Sequence, residues 1–326
     1  MLKRLKLGLV GAGPAAERLH VPAIRGVPEV QAWMVADVDM LRARRVQDLC
    51  PFEHATNNYE DFCGEVDLAI VGLPNALHEP VACRLLKAGV HVLCEKPLAR
   101  TVAECRRMIA AAKPAGALLT AGHNRRLKKN VLEARLLLSR GCIGRVTRLH
   151  TEEGSRADWP RSKAYFDPAL AGGGAMLDVG IHAIDLIRFL VGEFVSVEYS
   201  GNGTSAQVES EGHLRFKLAG GAEGEVLASR DRDLRQELVL VGADGELRVG
   251  LWEQSLVLQR PRGKAFRHFD SLQLNPVARA NDASFVDQLY RFAAAIRGLG
   301  KPSTTAEDGL EAVRIVEWGY TGARPA

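Results

Sequence analysis

The sequence predicts an α/β domain built on a doubly wound parallel sheet, followed by an α+β domain with an open, mostly antiparallel sheet and helices on one face. Three observations carry this. Up to residue 122, short apolar runs alternate with segments of helical period, the pattern of successive βα units. A glycine-rich turn follows the first apolar run at Gly11. From Phe194 onward, strand-like alternation takes over, broken by turn pairs such as Gly220-Gly221 and Asp244-Gly245, as hairpins require. The 326 residues suffice for two domains with separate cores. Their expected bounds are 1–122 and 123–326, with the last helix able to pack back on the first domain.

The elements of the first domain justify this in order. LKLGLV (residues 5–10) reads as a buried strand leading into Gly11-Ala12-Gly13-Pro14-Ala15-Ala16 and a helix. This is G-x-G-x-x-A, a dinucleotide-binding turn of the Rossmann type. Gly11 suits the tight turn, Gly13 lets backbone approach a pyrophosphate, and Ala16 allows close helix–sheet packing. The helix that starts at Pro14 then presents free N–H groups, from Ala15 onward, to the phosphates. QAWMVA (31–36) is a second strand ending at Asp37, whose carboxylate can accept from adenosine ribose hydroxyls and repel a 2′-phosphate. NAD is therefore favoured, while Arg42, Arg44 and Arg45 keep NADP as the alternative. VDLAIV (66–71) runs into Gly72-Leu73-Pro74-Asn75 and a helix from about His78 to Ala88, with Gly89 as its cap. VHVLC (90–94) leads to Glu95-Lys96-Pro97, then a helix to Ala112 and a strand over 117–121. In such sheets ligands bind at the carboxyl ends of strands, where Leu73, Pro74, Asn75, His78, Glu95 and Lys96 fall.

In the second domain, NVLEARLLLS (130–139) is a helix closed by Gly141, and 144–153 is a strand. GGGAMLDVGIHAIDLIRFL (172–190) follows as a helix that is apolar nearly all round and so buried. Strands over VSVEY, HLRFKLA, GEVLAS, QELVLV, ELRVGL and SLVLQ come next, then helices over about 284–297 and 306–320.

Composition narrows the function classes. Apolar residues make up 47% and charged residues 25%, a globular profile. Lys plus Arg number 43 against 39 acids, interspersed, for a net charge of +4, so neither nucleic acid nor membrane is an expected partner. Two basic clusters, Arg125 to Lys129 and Arg230 to Arg235, are read as solvated surface or as partners for an anionic group. The six cysteines include no Cys-x-x-Cys pair, which argues against a zinc site or a disulfide framework, and no metal is expected. No signal-peptide layout or long apolar run is read, so a cytoplasmic location is expected.

Within the apolar helix, Asp178, His182 and Asp185 lie at i, i+4 and i+7, on one stripe. Buried ionisable groups cost several kcal/mol, roughly, unless paired, so this stripe faces a cavity, a ligand or other polar groups. A carboxylate one turn before a histidine can orient the imidazole and raise its basicity. Asp185, one turn further in, is read as a buried structural partner, and the preceding glycines as room for a ligand at the helix start.

Taken together, Gly11-x-Gly13-x-x-Ala16, Pro74-Asn75-x-x-His78, Glu95-Lys96-Pro97 and Gly172-Gly173-Gly174-x-x-x-Asp178-x-Gly180-x-His182-x-x-Asp185 resemble the glucose–fructose oxidoreductase / inositol dehydrogenase / MocA (Gfo/Idh/MocA) family. The resemblance implies a nicotinamide-dependent oxidoreductase of a sugar, inositol or related polyol, with Lys96, Asp178 and His182 as its catalytic triad. It implies a cis peptide before Pro97, nicotinamide contacts from Asn75, His78 and Glu95, and homo-oligomers (dimer or tetramer) through the C-terminal sheet. Asn124 joins the expected cofactor contacts. His182 held by Asp178 is one candidate base, and Lys96 with a pKa lowered by burial is the other. Substrate contacts are expected from Lys96, Asp178 and His182 together with Arg125, Arg156, Trp159, Arg161 and Tyr165, a set that would also suit an acidic sugar. Two departures from the family pattern are His123-Asn124-Arg125-Arg126, where an aromatic is usual before Asn, and the ending Trp318-Gly319-Tyr320-Thr321-Gly322. An NAD-using glycosidase and a non-catalytic NAD-binding regulator are the competing classes.

Overall fold

The structure is a computed structural model that describes residues 3–156, 165–204, 207–253, 255–259, 267–269 and 283–325. The chain divides into two compact units, residues 1–124 with 276–311 and residues 125–275 with 312–326. The first boundary lies two residues beyond the expected one, and the stretch 276–311 clusters with the first unit rather than the second.

In the first unit, β1 (Leu5–Val10), β2 (Val30–Ala36), β3 (His54–Thr56), β4 (Leu68–Val71), β5 (His91–Cys94) and β6 (Leu119–Ala121) form a parallel sheet in the order β3-β2-β1-β4-β5-β6. Chain direction across the sheet reverses between β1 and β4, the switch point where a ligand crevice opens at the strand ends. Helices α1 (Val21–Gly26), α2 (Met40–Leu49), α3 (Asn75–Lys87) and α4 (Val102–Ala112) connect the strands. Asp39 and Thr101 cap α2 and α4 by accepting N–H groups of Leu41 and Glu104. Leu7, Leu9, Ile70 and Leu93 form the centre of a core that also takes in Leu289, Phe292 and Ala293 of the late helix α8 (Ala283–Ile296). Burying Leu289 and Phe292, each worth about 1.5–3 kcal/mol, with the smaller Ala293, explains why 276–311 belongs with the first unit. Buried polar groups add register: Thr304 Oγ1 donates to the Ala121 carbonyl at 2.6 Å, and Asn124 Nδ2 donates to Ser284 Oγ at 2.7 Å.

In the second unit, β7 (Val146–Gly154) and β8 (Phe194–Gly201) join β9 (Glu211–Leu218), β10 (Glu223–Ser229), β11 (Glu237–Gly242), β12 (Gly245–Gly250), β13 (Leu256–Gln259) and β14 (Arg267–Phe269). Their order is β14-β13-β12-β11-β7-β10-β9-β8. β7 pairs in parallel with β10, and the other neighbours are antiparallel. Along β9, buried Leu214, Phe216 and Leu218 alternate with exposed Arg215 and Lys217, so one face carries the core and the other is polar. Helices α5 (Lys129–Ser139), α6 (Pro168–Ala171) and α7 (Ile181–Leu190) belong to this unit. The final helix α9 (Ala306–Thr321) is divided between the units at residue 311. The expectation of no long apolar run needs one correction. Residues Pro168–Leu190 are long and apolar enough to cross a membrane, but 67% of that window is buried inside the protein, as in a core helix.

Candidate active site

At the end of β1, Gly11 adopts φ +97°, and a Cβ there would lie 2.2 Å from the Gly72 carbonyl oxygen. Only glycine lets the loops after β1 and β4 lie this close. The helical turn opens at Pro14, whose fixed φ suits a first helical position, and continues through Ala15 into a π-helical turn, Ala16–His20, before α1. A Cβ on Gly13 would meet nothing within 4 Å, leaving room over the helix start where N–H groups favour an anion. Ala16 is buried in the core. Asp37 accepts from the Ala12 N–H at 2.8 Å and the Asp39 N–H at 2.9 Å. The acid expected to face a ribose thus also braces the glycine turn. This cradle fits a dinucleotide.

Leu73 and Pro74 lead into α3, which starts at Asn75. His78, expected beside the nicotinamide, is buried with Nδ1 2.9 Å from the Pro97 carbonyl and Nε2 2.8 Å from the Leu73 carbonyl. Its ring therefore lies between the loops after β4 and β5, and in its neutral form donates to one of the two carbonyls. Burial pushes the imidazole pKa down, against the two carbonyls and Glu95. The Lys96–Pro97 peptide is cis. Glu95 Oε2 accepts the Lys96 N–H at 3.1 Å, and Oε1 pairs with His20 Nε2 at 3.1 Å. Burial works to raise the Glu95 carboxyl, but His20 and Lys96 outweigh it and hold it below the usual range. Asn124, expected to touch cofactor, spends its amide on Ser284.

The second unit holds the polar stripe, though not on a regular helix. Met176–Gly180 is a π-helical turn that passes into α7, and π turns recur at functional sites. Asp178 and His182 are half-buried, while Asp185 is buried in a bidentate pair with Arg126, at 2.9 and 2.6 Å. Tyr165 donates its hydroxyl to Asp178 Oδ2. Arg230 Nε lies 3.5 Å from the same oxygen, and its guanidinium sits 3.8 Å from the centre of the Tyr165 ring.

The three glycines before this turn have a purpose other than the expected approach of a ligand. Gly172 takes φ +75° to close α6. A Cβ on Gly174 would lie 1.9 Å from the Glu209 carbonyl oxygen, and one on Gly173 would lie 2.7 Å from the Tyr320 hydroxyl. Glu209 accepts from the Gly174 and Met176 N–H groups, both at 3.0 Å, and from the Tyr320 hydroxyl at 2.6 Å. The helix start is capped from within by a carboxylate. The unusual ending at Tyr320 is thus part of the cap. Gly174→Ala is expected to cost about 1–3 kcal/mol through overpacking, whereas Gly220→Ala, which meets nothing within 4 Å, is expected to be neutral in the same thermal unfolding measurement.

Two expected substrate contacts are engaged elsewhere. Arg125 is buried and forms a bidentate pair with Glu153. Arg156 donates its backbone N–H to Asp233 at 3.0 Å and its Nε to the Asp231 carbonyl at 3.1 Å. Trp159 and Arg161 lie outside the described residues. Sequence reasoning missed His20, Glu209, Tyr320 and the pairing of Arg230, because none stands in a motif with a recognisable spacing. Among the described residues, no group of three His, Cys, Asp or Glu is placed to hold a metal.

Residues 5–123 match the model of an oxidoreductase family with an NAD-binding Rossmann fold, and residues 131–248 match the GFO/IDH/MocA C-terminal domain. The 1,5-anhydro-D-fructose reductase of Ensifer adhaerens is 28% identical over 93% of this chain and 91% of its own. The myo-inositol 2-dehydrogenase of Thermotoga maritima is 26% identical over 98% of this chain and 96% of its own. Among solved structures, levoglucosan dehydrogenase in complex with NADH and levoglucosan superposes with a TM-score of 0.87 at 23% identity, covering 99% of this chain and 100% of that one.

Proposed function

Because this chain belongs to the GFO/IDH/MocA oxidoreductase family, we propose that it is an NAD-dependent oxidoreductase acting on a hydroxyl or keto carbon of a neutral sugar, inositol or related polyol. The observation that carries the reading is the nucleotide cradle and the lysine loop in one unit. Gly11, Gly13 and Asp37 shape the cradle, and Glu95 and His78 fix the loop bearing Lys96. Relatives along nearly the whole chain are named for a sugar-derived ketone and for inositol. A neutral substrate fits the pairing of Arg125 with Glu153 and of Arg230 with Asp178, which occupies cations that an acidic sugar would use.

Gly11, Gly13, Pro14, Ala15, Ala16, Asp37, Leu73, Pro74 and Asn75 are the residues that would hold NAD. When bound, NAD supplies the hydride acceptor. The chain's own groups then handle the oxygen and its proton. His182 accepts the proton of the substrate hydroxyl, oriented by Asp178, which Tyr165 and Arg230 hold in place. Lys96 donates a hydrogen bond to the reacting oxygen of the substrate as charge develops there.

Incubating the protein with neutral polyols, cyclitols and keto-sugars and either nicotinamide cofactor tests the reading. Net NADH from a free polyol is expected, with NAD preferred to NADP. Asp37→Ala is expected to erode that preference at least about tenfold, by removing like-charge repulsion from a 2′-phosphate. Tight NAD binding without turnover of any of these would make the protein a binder, and release of an aryl sugar without net NADH would make it a glycosidase.

A further inference from the structure

Beside the lysine loop, the expected site residue Glu95 faces a buried histidine that belongs to no motif. His20 closes the π-helical turn that follows the glycine cradle and is 2% exposed. Its Nε2 lies 3.1 Å from Glu95 Oε1, and its ring meets the edge of Phe285 with centroids 5.8 Å apart. The slot holding the Glu95 side chain is walled by glycine. A Cβ on Gly122 would stand 2.9 Å from Glu95 Cα and 3.0 Å from Oε2, and one on Gly72 would stand 3.8 Å from His20 Nε2 and 4.0 Å from Glu95 Cγ. One carboxylate oxygen therefore lies against His20, and the other accepts the Lys96 N–H at 3.1 Å. The charged and titratable groups facing Glu95 are His20, Lys96, His78 and the buried thiol of Cys94.

We propose that His20 is a positioning residue for Lys96, acting through the Glu95 carboxylate. A carboxyl in so dry a slot stays ionised only while a donor faces it. Ionised, it faces His20 with one oxygen and accepts the Lys96 N–H on the other, fixing the Lys96 peptide from one side, while His78 lies against the Pro97 carbonyl on the other. Without His20, burial favours the protonated carboxyl, and the acceptor that orients Lys96 weakens. The cradle and the lysine loop are thereby joined through a residue of neither motif. The role of Lys96 in turnover rests on the function proposed above; the pairing itself does not.

The test compares wild type, His20→Leu and His20→Gln, the last keeping a neutral donor. Three readouts are needed: kcat with the polyol turned over fastest, NADH affinity by fluorescence titration, and the Glu95 titration by carbon-13 NMR in the unliganded protein. His20→Leu is expected to lower kcat about 10- to 50-fold through misplacement of Lys96, with NADH affinity changed less than about threefold and the Glu95 midpoint raised by about one pH unit or more. His20→Gln is expected to recover kcat to within about fivefold of wild type. An unmoved Glu95 midpoint, or kcat of His20→Leu within about twofold of wild type, would overturn the proposal. So would equal losses of kcat and NADH affinity in both variants, the pattern of a packing defect. A wild type that turns over no polyol would fail the proposed function instead, and the Glu95 titration alone would then decide for or against the pairing.

Discussion

Lys96→Met is expected to lower kcat about 10³-fold while NADH affinity changes less than about threefold. The reason is geometric. Lys96 follows β5 at the carboxyl edge of the sheet, its own N–H is held by Glu95, and the next carbonyl but one is held by His78. A loop fixed at both ends keeps its course when the ammonium is removed, so the loss falls on the chemical step rather than on cofactor binding. Lys96→Arg keeps the charge but not the compact donor and is expected to recover little. Steady-state kinetics with parallel NADH titrations check this. A kcat within about tenfold of wild type would remove Lys96 from the chemistry.

Arg126→Met is expected to destabilise the protein by about 3–5 kcal/mol, because it leaves Asp185 as a buried charge whose bidentate partner is gone. Asp185 is 1% exposed and lies on the apolar helix that also carries His182, so water cannot easily take the place of the guanidinium. The corresponding fall in unfolding temperature is about 10 °C. Arg126→Met combined with Asp185→Leu is expected to return most of the loss, since replacing a whole buried pair by apolar groups is often neutral. Scanning calorimetry on both variants distinguishes the cases. A single variant as stable as wild type would mean that Asp185 finds another way to be satisfied.

The parallel sheet of the first unit was legible because each strand is a short apolar run followed by a turn residue and a helical period. The exceptions are α2 and β3. Met40–Leu49 is largely exposed, with only Ala43 and Val46 buried, and His54–Thr56 is too short to show alternation. In the second unit the strands were readable one by one, but the central place of β7 was not. Its partners β10 and β11 come some 70 to 90 residues later, and hairpin reasoning reaches only sequential neighbours.

Within the site, residue types were easier to read than their work. Asp178, His182, Lys96 and Asp37 announced themselves by spacing or by position at a strand end. The roles of Gly173 and Gly174 did not, because a glycine run looks the same whether it admits a ligand or the backbone of Glu209. His78 was assigned to the nicotinamide on its motif, yet both ring nitrogens face main-chain carbonyls. The π turns at Ala16–His20 and Met176–Gly180 were invisible, since one extra residue per turn leaves an apolar period almost unchanged.

The placement of α8 also bears on how the chain is made. Leu289, Phe292 and Ala293 complete the core begun by β1 at Leu7, so the unit that leaves the ribosome first cannot close until synthesis is nearly finished. Between residues 124 and 296, about 170 residues are added, which at typical synthesis rates takes roughly 10–30 s. During that interval the parallel sheet waits with one apolar flank uncovered, and the strands of the second unit, β7 through β14, emerge in the meantime. The nascent chain therefore carries exposed core surface for most of its synthesis, a long window in which holding chaperones have something to grip.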